Sequence, residues 1–128
     1  MTRFLWVCLG GAAGSGLRYL VGLWASSRLG AAWPYGTLLV NLGGCLLMGL
    51  LMRLVLDRPD FPPDLRWALG TGFLGGLTTY SSYAAESGTM IGDGLPGRAL
   101  AYMAATTTLG LAALALGQGL GRWLGRLL

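Results

Sequence analysis

The residues with the most chemical potential lie between positions 72 and 86. Residues 75–83 read Gly-Gly-Leu-Thr-Thr-Tyr-Ser-Ser-Tyr, a glycine pair followed closely by the hydroxyls of Thr78, Thr79, Ser81 and Ser82, all within a long apolar stretch. Gly75-Gly76 weakens a helix at that point. A helix interrupted at membrane depth exposes carbonyls and amides that lipid cannot satisfy, so they must face protein, water or an ion. Broken helices of this kind hold ions in transporters. The plainer alternative is a kink whose Ser and Thr side chains bond back to their own helix, and the density of hydroxyls favours function. Tyr80 and Tyr83 are three apart and share a helical face, and Glu86 extends that line by three more residues. Either tyrosine alone reads as packing. Glu86 is the one acid inside an apolar stretch, where a carboxylate is costly and by default functional; at the end of a span it would sit cheaply in water.

Other polar residues punctuate the remaining apolar stretches. Asn41 closes the run Gly36-Thr-Leu-Leu-Val-Asn; its amide offers two donors that serve either a ligand or a neighbouring helix. Arg18 stands inside the first stretch, where it snorkels to an interface or lines an anion-attracting vestibule. Thr106, Thr107 and Thr108 form a hydroxyl run in the last stretch. The set is mostly donors, which suits an anion. The chain has no histidine, which removes His-ligated metals, Ser-His-Asp triads and Cys-His nucleophiles.

The elements that must position these groups are membrane helices. The 128 residues are 54% hydrophobic and 11% charged with 23 glycines, against about 25% charged and about 7% glycine in soluble domains. Four apolar stretches, at about 4–27, 35–56, 67–91 and 99–121, each have the roughly 20 residues that cross a bilayer. They predict one all-α integral membrane domain of four transmembrane helices, the third broken at its middle. Trp33-Pro34, Pro59, Pro62-Pro63 and Pro96-Gly97 mark the short connections. No stretch alternates as barrel strands do. The start of the chain passes for a short signal peptide, but apolar character resumes beyond Arg18, which favours a first span. Glycines four apart, Gly10/Gly14 and Gly117/Gly121/Gly125, suit close helix packing. Cys8 and Cys45 sit in apolar runs and read as small hydrophobes rather than a disulfide. The net charge of +4 comes from nine arginines without lysine. They are scattered, which argues against nucleic acid. Arg3, Arg53, Arg58, Arg66, Arg122 and Arg126 fall on one side of the membrane and Arg28 and Arg98 on the other. In a single orientation both termini are then cytoplasmic.

Three motifs resemble the CrcB/Fluc fluoride channels. They are Gly10-Gly11-x-x-Gly14-x-x-x-Arg18-Tyr19, Gly36-Thr-Leu-Leu-Val-Asn41-x-x-Gly44, and residues 72–83 with tyrosines where that family usually has phenylalanines. Length, span number and motif order agree as well. The resemblance implies a passive, fluoride-selective channel that exports cytoplasmic fluoride from a prokaryotic inner (plasma) membrane. It implies an antiparallel, dual-topology homodimer with pores along the subunit interface. Tyr80 and Tyr83 would present ring edges to fluoride, Asn41 would donate its amide, and Ser81, Glu86 and Thr106 would line the pathway. Arg18 would stabilise a vestibule, and the carbonyls of Gly75 and Thr78 would hold a structural sodium ion on the two-fold axis. The tyrosines add hydroxyls to the aromatic positions. The arginine bias exceeds what dual topology suggests, so an oppositely oriented paralogous partner is the alternative to a homodimer.

A small four-span proton-coupled drug or cation exporter is the competing reading. It requires a carboxylate in the first span, where this chain has Arg18. A non-transporting assembly subunit would leave the hydroxyl cluster of the third span without a role. An enzyme is disfavoured, since no activated nucleophile or acid pair is visible. There is also no Gly-x-x-x-x-Gly-Lys phosphate loop to couple transport to a nucleotide.

Overall fold

The prolines and glycines of the connections act where the sequence puts them. In the computed structural model, which describes residues 1–30, 32–56, 58 and 60–127, α1 (Thr2–Leu29) ends at Gly30, whose φ of 80° stops the helix. Pro34 precedes α2 (Tyr35–Leu56) and its carbonyl accepts from Leu38 N at 3.1 Å. Pro63 opens α3 (Pro63–Trp67), where its missing N–H costs nothing. A π-helical segment (Ala68–Leu74) and α4 (Gly75–Leu77) continue it. After two extended residues come α5 (Tyr80–Gly92), a turn through Gly94 (φ 75°) and α6 (Pro96–Leu127), which Pro96 starts. The expected break at Pro59 lies outside the described residues, among which there is no strand.

Three helices, α1, α2 and α6, are long and apolar enough to cross a membrane. The third expected span is a composite. Its helical path runs from residue 63 to 92, wider than the anticipated 67–91, and it is interrupted at Thr78–Thr79. The break therefore does not fall on Gly75-Gly76. Gly75 is helical (φ −65°, ψ −36°), whereas Thr78 (φ −80°, ψ 156°) and Thr79 (φ −149°, ψ 116°) are extended. Ahead of the break the helix widens into π geometry, with Gly75 N–H directed at the Gly70 carbonyl five residues back. Single π turns of this kind recur at functional sites.

The glycines let backbones touch. A Cβ at Gly14 would strike the Phe73 carbonyl and lie 2.9 Å from Leu77 N; one at Gly72 would lie 2.8 Å from the Val7 carbonyl. Gly10, Gly11 and Gly14 of α1 thus interlock with residues 68–77. Gly49 and Gly117 do the same for α2 and α6, against the carbonyls of Leu114 and Leu46. Gly121 accommodates the Arg53 side chain. Gly125 is exposed. These contacts replace a large apolar core, which is small here: Val40, Leu74 and Leu77, flanked by Val21, Met48, Leu51 and Phe73. Arg3 and Asp64 pair at 3.4 Å, so the starts of α1 and α3 share an end of the bundle with Arg53 and the C-terminal part of α6. Arg98 donates to the Ala32 carbonyl at the opposite end. The two arginine groups are separated as their spacing predicts.

Candidate functional site

The break in the third span is gripped by α2. Thr79 N–H donates to Asn41 Oδ1 at 2.8 Å, and Asn41 Nδ2 donates to the Thr79 carbonyl at 3.1 Å. The amide oxygen thus takes the place of the helical partner that the Thr79 N–H lacks, and the amide nitrogen adds a second donor to the carbonyl that starts α5. The Thr79 amide would otherwise have served the Gly75 carbonyl. One turn further along α2, Gly44 leaves room for the Thr78 methyl, which a Cβ there would overlap. The Asn-x-x-Gly spacing places both residues on one face of α2. Thr78 closes α4 by donating Oγ1 to the Leu74 carbonyl at 2.9 Å. Thr79 caps α5, its Oγ1 accepting from Ser82 N at 3.2 Å.

Around this break lies a cavity of about 510 Å³, lined by Asn41, Thr79, Tyr80, Tyr83, Thr106 and Thr107 among others. Asn41 commits one amide hydrogen to Thr79 and keeps a second. Thr106 Oγ1 is buried without a partner in hydrogen-bond geometry, although the Tyr102 hydroxyl lies close to it one turn earlier. A buried hydroxyl left in that state beside a cavity is a ready ligand donor. Thr108 is excluded, since its Oγ1 returns to the Ala104 carbonyl at 2.7 Å.

From the cavity a file of rings leads along α5 and α6. Tyr80 and Tyr83 are 5.7 Å apart between centroids, Tyr83 and Tyr102 5.5 Å, and Tyr102 and Trp33 5.9 Å with their planes at 80°. Tyr80 is 80% exposed on the isolated chain, whereas Tyr102 is fully buried. Glu86, half-buried, sits beside this file. Thr37 Oγ1 donates to its Oε1 at 2.6 Å and the Tyr102 hydroxyl to its Oε2 at 2.8 Å. The carboxylate is neither free in water nor left unsatisfied in lipid. Two further cavities, of about 440 Å³ and about 270 Å³, open on it.

Asn41, Tyr80, Tyr83, Glu86 and Thr106 are therefore brought into one track across α2, α5 and α6. Ser81 is not on the wall of the central cavity; it is exposed, with its hydroxyl 3.3 Å from Thr79 Oγ1. Arg18 is half-buried on α1 and lines none of these three cavities. Sequence reasoning missed Thr37, Tyr102 and Trp33. A hydroxyl inside the Gly36–Asn41 motif and a tyrosine one turn before Thr106 were the available signals. Cys45 lines the central cavity, and both cysteines are free.

In chemical terms the track offers neutral N–H and O–H donors, ring edges and one saturated carboxylate. No group of three or more His, Cys, Asp or Glu that could hold a metal ion occurs among the described residues. Such a lining can strip and replace the hydration of a small anion.

Comparison with known proteins gives the family of the chain. Residues 5–118 match the family described as CrcB-like protein, Camphor Resistance (CrcB). A Chloroflexus aurantiacus protein named fluoride-specific ion channel FluC is 46% identical over 125 residues, 98% of this chain and 99% of that one. A Bordetella petrii protein of the same name is 47% identical over 115 residues, covering 90% and 88%. The fluoride-specific ion channel FluC 2 of Moorella thermoacetica is 48% identical over 99 residues, covering 77% and 80%.

Proposed function

Because the chain belongs to the CrcB-like family, we propose that it is itself a fluoride-specific ion channel, not an enzyme, that lets fluoride leave the cytoplasm passively. The observation that carries this reading is the polar track of the donors Asn41, Thr106, Tyr102 and Thr37 with the acceptor Glu86, beside the rings of Tyr80 and Tyr83, inside an otherwise apolar bundle. Fluoride enters a cell as neutral HF and ionises in the less acidic interior. A negative membrane potential then drives the anion out by about 2.3 kcal/mol per 100 mV. An open path suffices, and no step that makes or breaks a covalent bond is needed.

The second Asn41 N–H and the Thr106 hydroxyl, which lies beside that of Tyr102, replace part of the hydration shell. Ring edges of Tyr80 and Tyr83, the positive rim of the aromatic quadrupole, add weak attraction that does not trap the ion. At Glu86 the donors Thr37 and Tyr102 exchange between carboxylate and passing anion. Ser81, exposed next to Thr79, and Arg18, in the vestibule, act from the edges of this path. The chain forms four membrane spans of a single integral domain in the plasma membrane. The wall that Tyr80 lacks is supplied by a second copy in an antiparallel homodimer. Sodium fits the break as a structural ion. The Gly75 carbonyl has lost its helical partner to the Asn41 clamp, and extended Thr78 turns its carbonyl out of the helix. Hard cations take such oxygens. Two carbonyls from each copy, those of Gly75 and Thr78, would hold the ion, whose charge would offset the repulsion between their negative ends.

The test is fluoride efflux from liposomes that contain the purified chain. Rapid fluoride release with little chloride release is the expected outcome. Release no faster than from empty liposomes, or equal passage of chloride, overturns the reading.

A further inference from the structure

At the end of the bundle away from the termini, the track is roofed by the connection between α1 and α2. Ala32 and Pro34 border the cavity of about 440 Å³ that opens on Glu86, together with Thr89, Asp93 and Arg98. Trp33 and Pro34 border the smaller cavity of about 270 Å³, which reaches Glu86 from the side of Gly22 and Ser26. Ala32, Trp33 and Pro34 thus separate two approaches to one carboxylate.

This roof is fastened to α6 at two points. The Arg98 guanidinium donates through Nη2 to the Ala32 carbonyl. The Trp33 ring meets Tyr102 edge-on, centroids 5.9 Å apart. Arg98 and Tyr102 are four residues apart, so they stand one above the other on the same face of α6. Tyr102 in turn holds Glu86 at 2.8 Å. The contacts form a continuous line: Arg98, Ala32, Trp33, Tyr102, Glu86. Asp93 also borders the cavity, but among the described residues no acid pairs with Arg98.

We infer that Arg98 is a positioning residue for the pathway: its hydrogen bond to the Ala32 carbonyl seats Trp33 on Tyr102, and so fixes the hydroxyl that Glu86 and a passing anion share. The inference rests on the channel reading for its effect on flux, but not for its effect on Trp33. A charge-assisted donor to a carbonyl is stronger and more directional than a neutral one. The Trp33 ring has Tyr102 at its edge and Tyr35 tilted beside it at 6.3 Å, and the tether holds the backbone that carries the ring in register.

The experiment uses the full chain in liposomes, with Trp6, Trp24, Trp67 and Trp123 replaced by Phe so that Trp33 alone reports fluorescence. Acrylamide quenching and fluoride efflux are measured for this parent, for Arg98→Ala and for Arg98→Lys. Arg98→Ala is expected to raise quenching about twofold and slow efflux about tenfold, the scale of one lost charged hydrogen bond. Arg98→Lys, which can still donate to the carbonyl, is expected to restore both. Unchanged quenching in Arg98→Ala overturns the tether. Raised quenching with unchanged efflux overturns its role in the pathway. Failure of Arg98→Lys to restore either readout overturns the hydrogen bond as the cause. A parent that passes no fluoride defeats the channel reading and with it the role in the pathway, while quenching still decides the tether.

Discussion

Asn41 performs two tasks with one amide. Its oxygen and one hydrogen hold the backbone of Thr79, which leaves a second hydrogen on a residue that lines the cavity. Asn41→Asp removes both hydrogens and sets a negative charge against the Thr79 carbonyl and against any anion. Fluoride efflux is expected to fall by about a hundredfold or more, consistent with losing a buried donor and gaining a like charge; efflux at the parental rate would remove Asn41 from the path. Tyr83 makes the opposite case. Its ring touches Tyr80 and Tyr102. Tyr83→Phe keeps the ring edge and is expected to keep the efflux rate within about threefold, because the quadrupole belongs to the ring and not to the hydroxyl. A tenfold loss would show instead that the hydroxyl carries the anion. Both roles were legible only in part. The type of Asn41 announced a donor, but its partner lies 38 positions away and no local pattern named it.

Among the elements, the third span is decided by its neighbours. The glycine pair advertised a break, yet the backbone parts at Thr78–Thr79, three residues later. Gly75 and Gly76 can remain helical because α1 presses on that helix through Gly11 and Gly14. The threonines part because α2 offers Asn41 and Gly44 to receive them. Contact at the backbone makes the α1 glycines unforgiving. Gly14→Val would drive a side chain into the Phe73 carbonyl, and the folded protein is expected to lose about 3 kcal/mol or more, the upper range for overpacking. Gly16, two residues away, has nothing within 4 Å of a Cβ. Gly16→Ala is expected to leave the melting temperature unchanged or raise it slightly, since alanine favours helix by about 1 kcal/mol. Thermal unfolding in detergent compares the two. Equal effects would mean that the α1 contact with residues 68–77 does not hold the bundle together.

At the scale of the molecule, the chain turns apolar side chains outward. Leu9, Leu20, Trp24, Leu100, Leu111 and Trp123 are all exposed, while the buried apolar cluster is small. That distribution suits a lipid-facing bundle held by close backbone contact and hydrogen bonds rather than by a dry core. Tyr80 at the edge of the central cavity marks the side where the wall is incomplete. Antiparallel pairing predicts that each chain inserts in both orientations. With Cys8 and Cys45 replaced by serine and Thr2 by cysteine, an impermeant thiol reagent outside sealed vesicles is expected to label about half the chains, as an antiparallel two-fold pair requires. Labelling of all or none would establish one orientation and point to a partner other than an inverted copy.

The apolar periods, the prolines and the arginine spacing by themselves determined three long helices, a fourth interrupted span and the two charged ends. Those properties depend on each residue's own transfer energy and backbone geometry, so a local reading reaches them. The Asn41 clamp, the π turn ahead of the break, the Thr37 and Tyr102 donors on Glu86 and the Arg98 tether were decided by tertiary structure alone. Each satisfies a polar group on one helix with a group from another, or strains one helix against the next. In a medium without water, that pairing is set by which helices meet and not by the order of residues along any one of them.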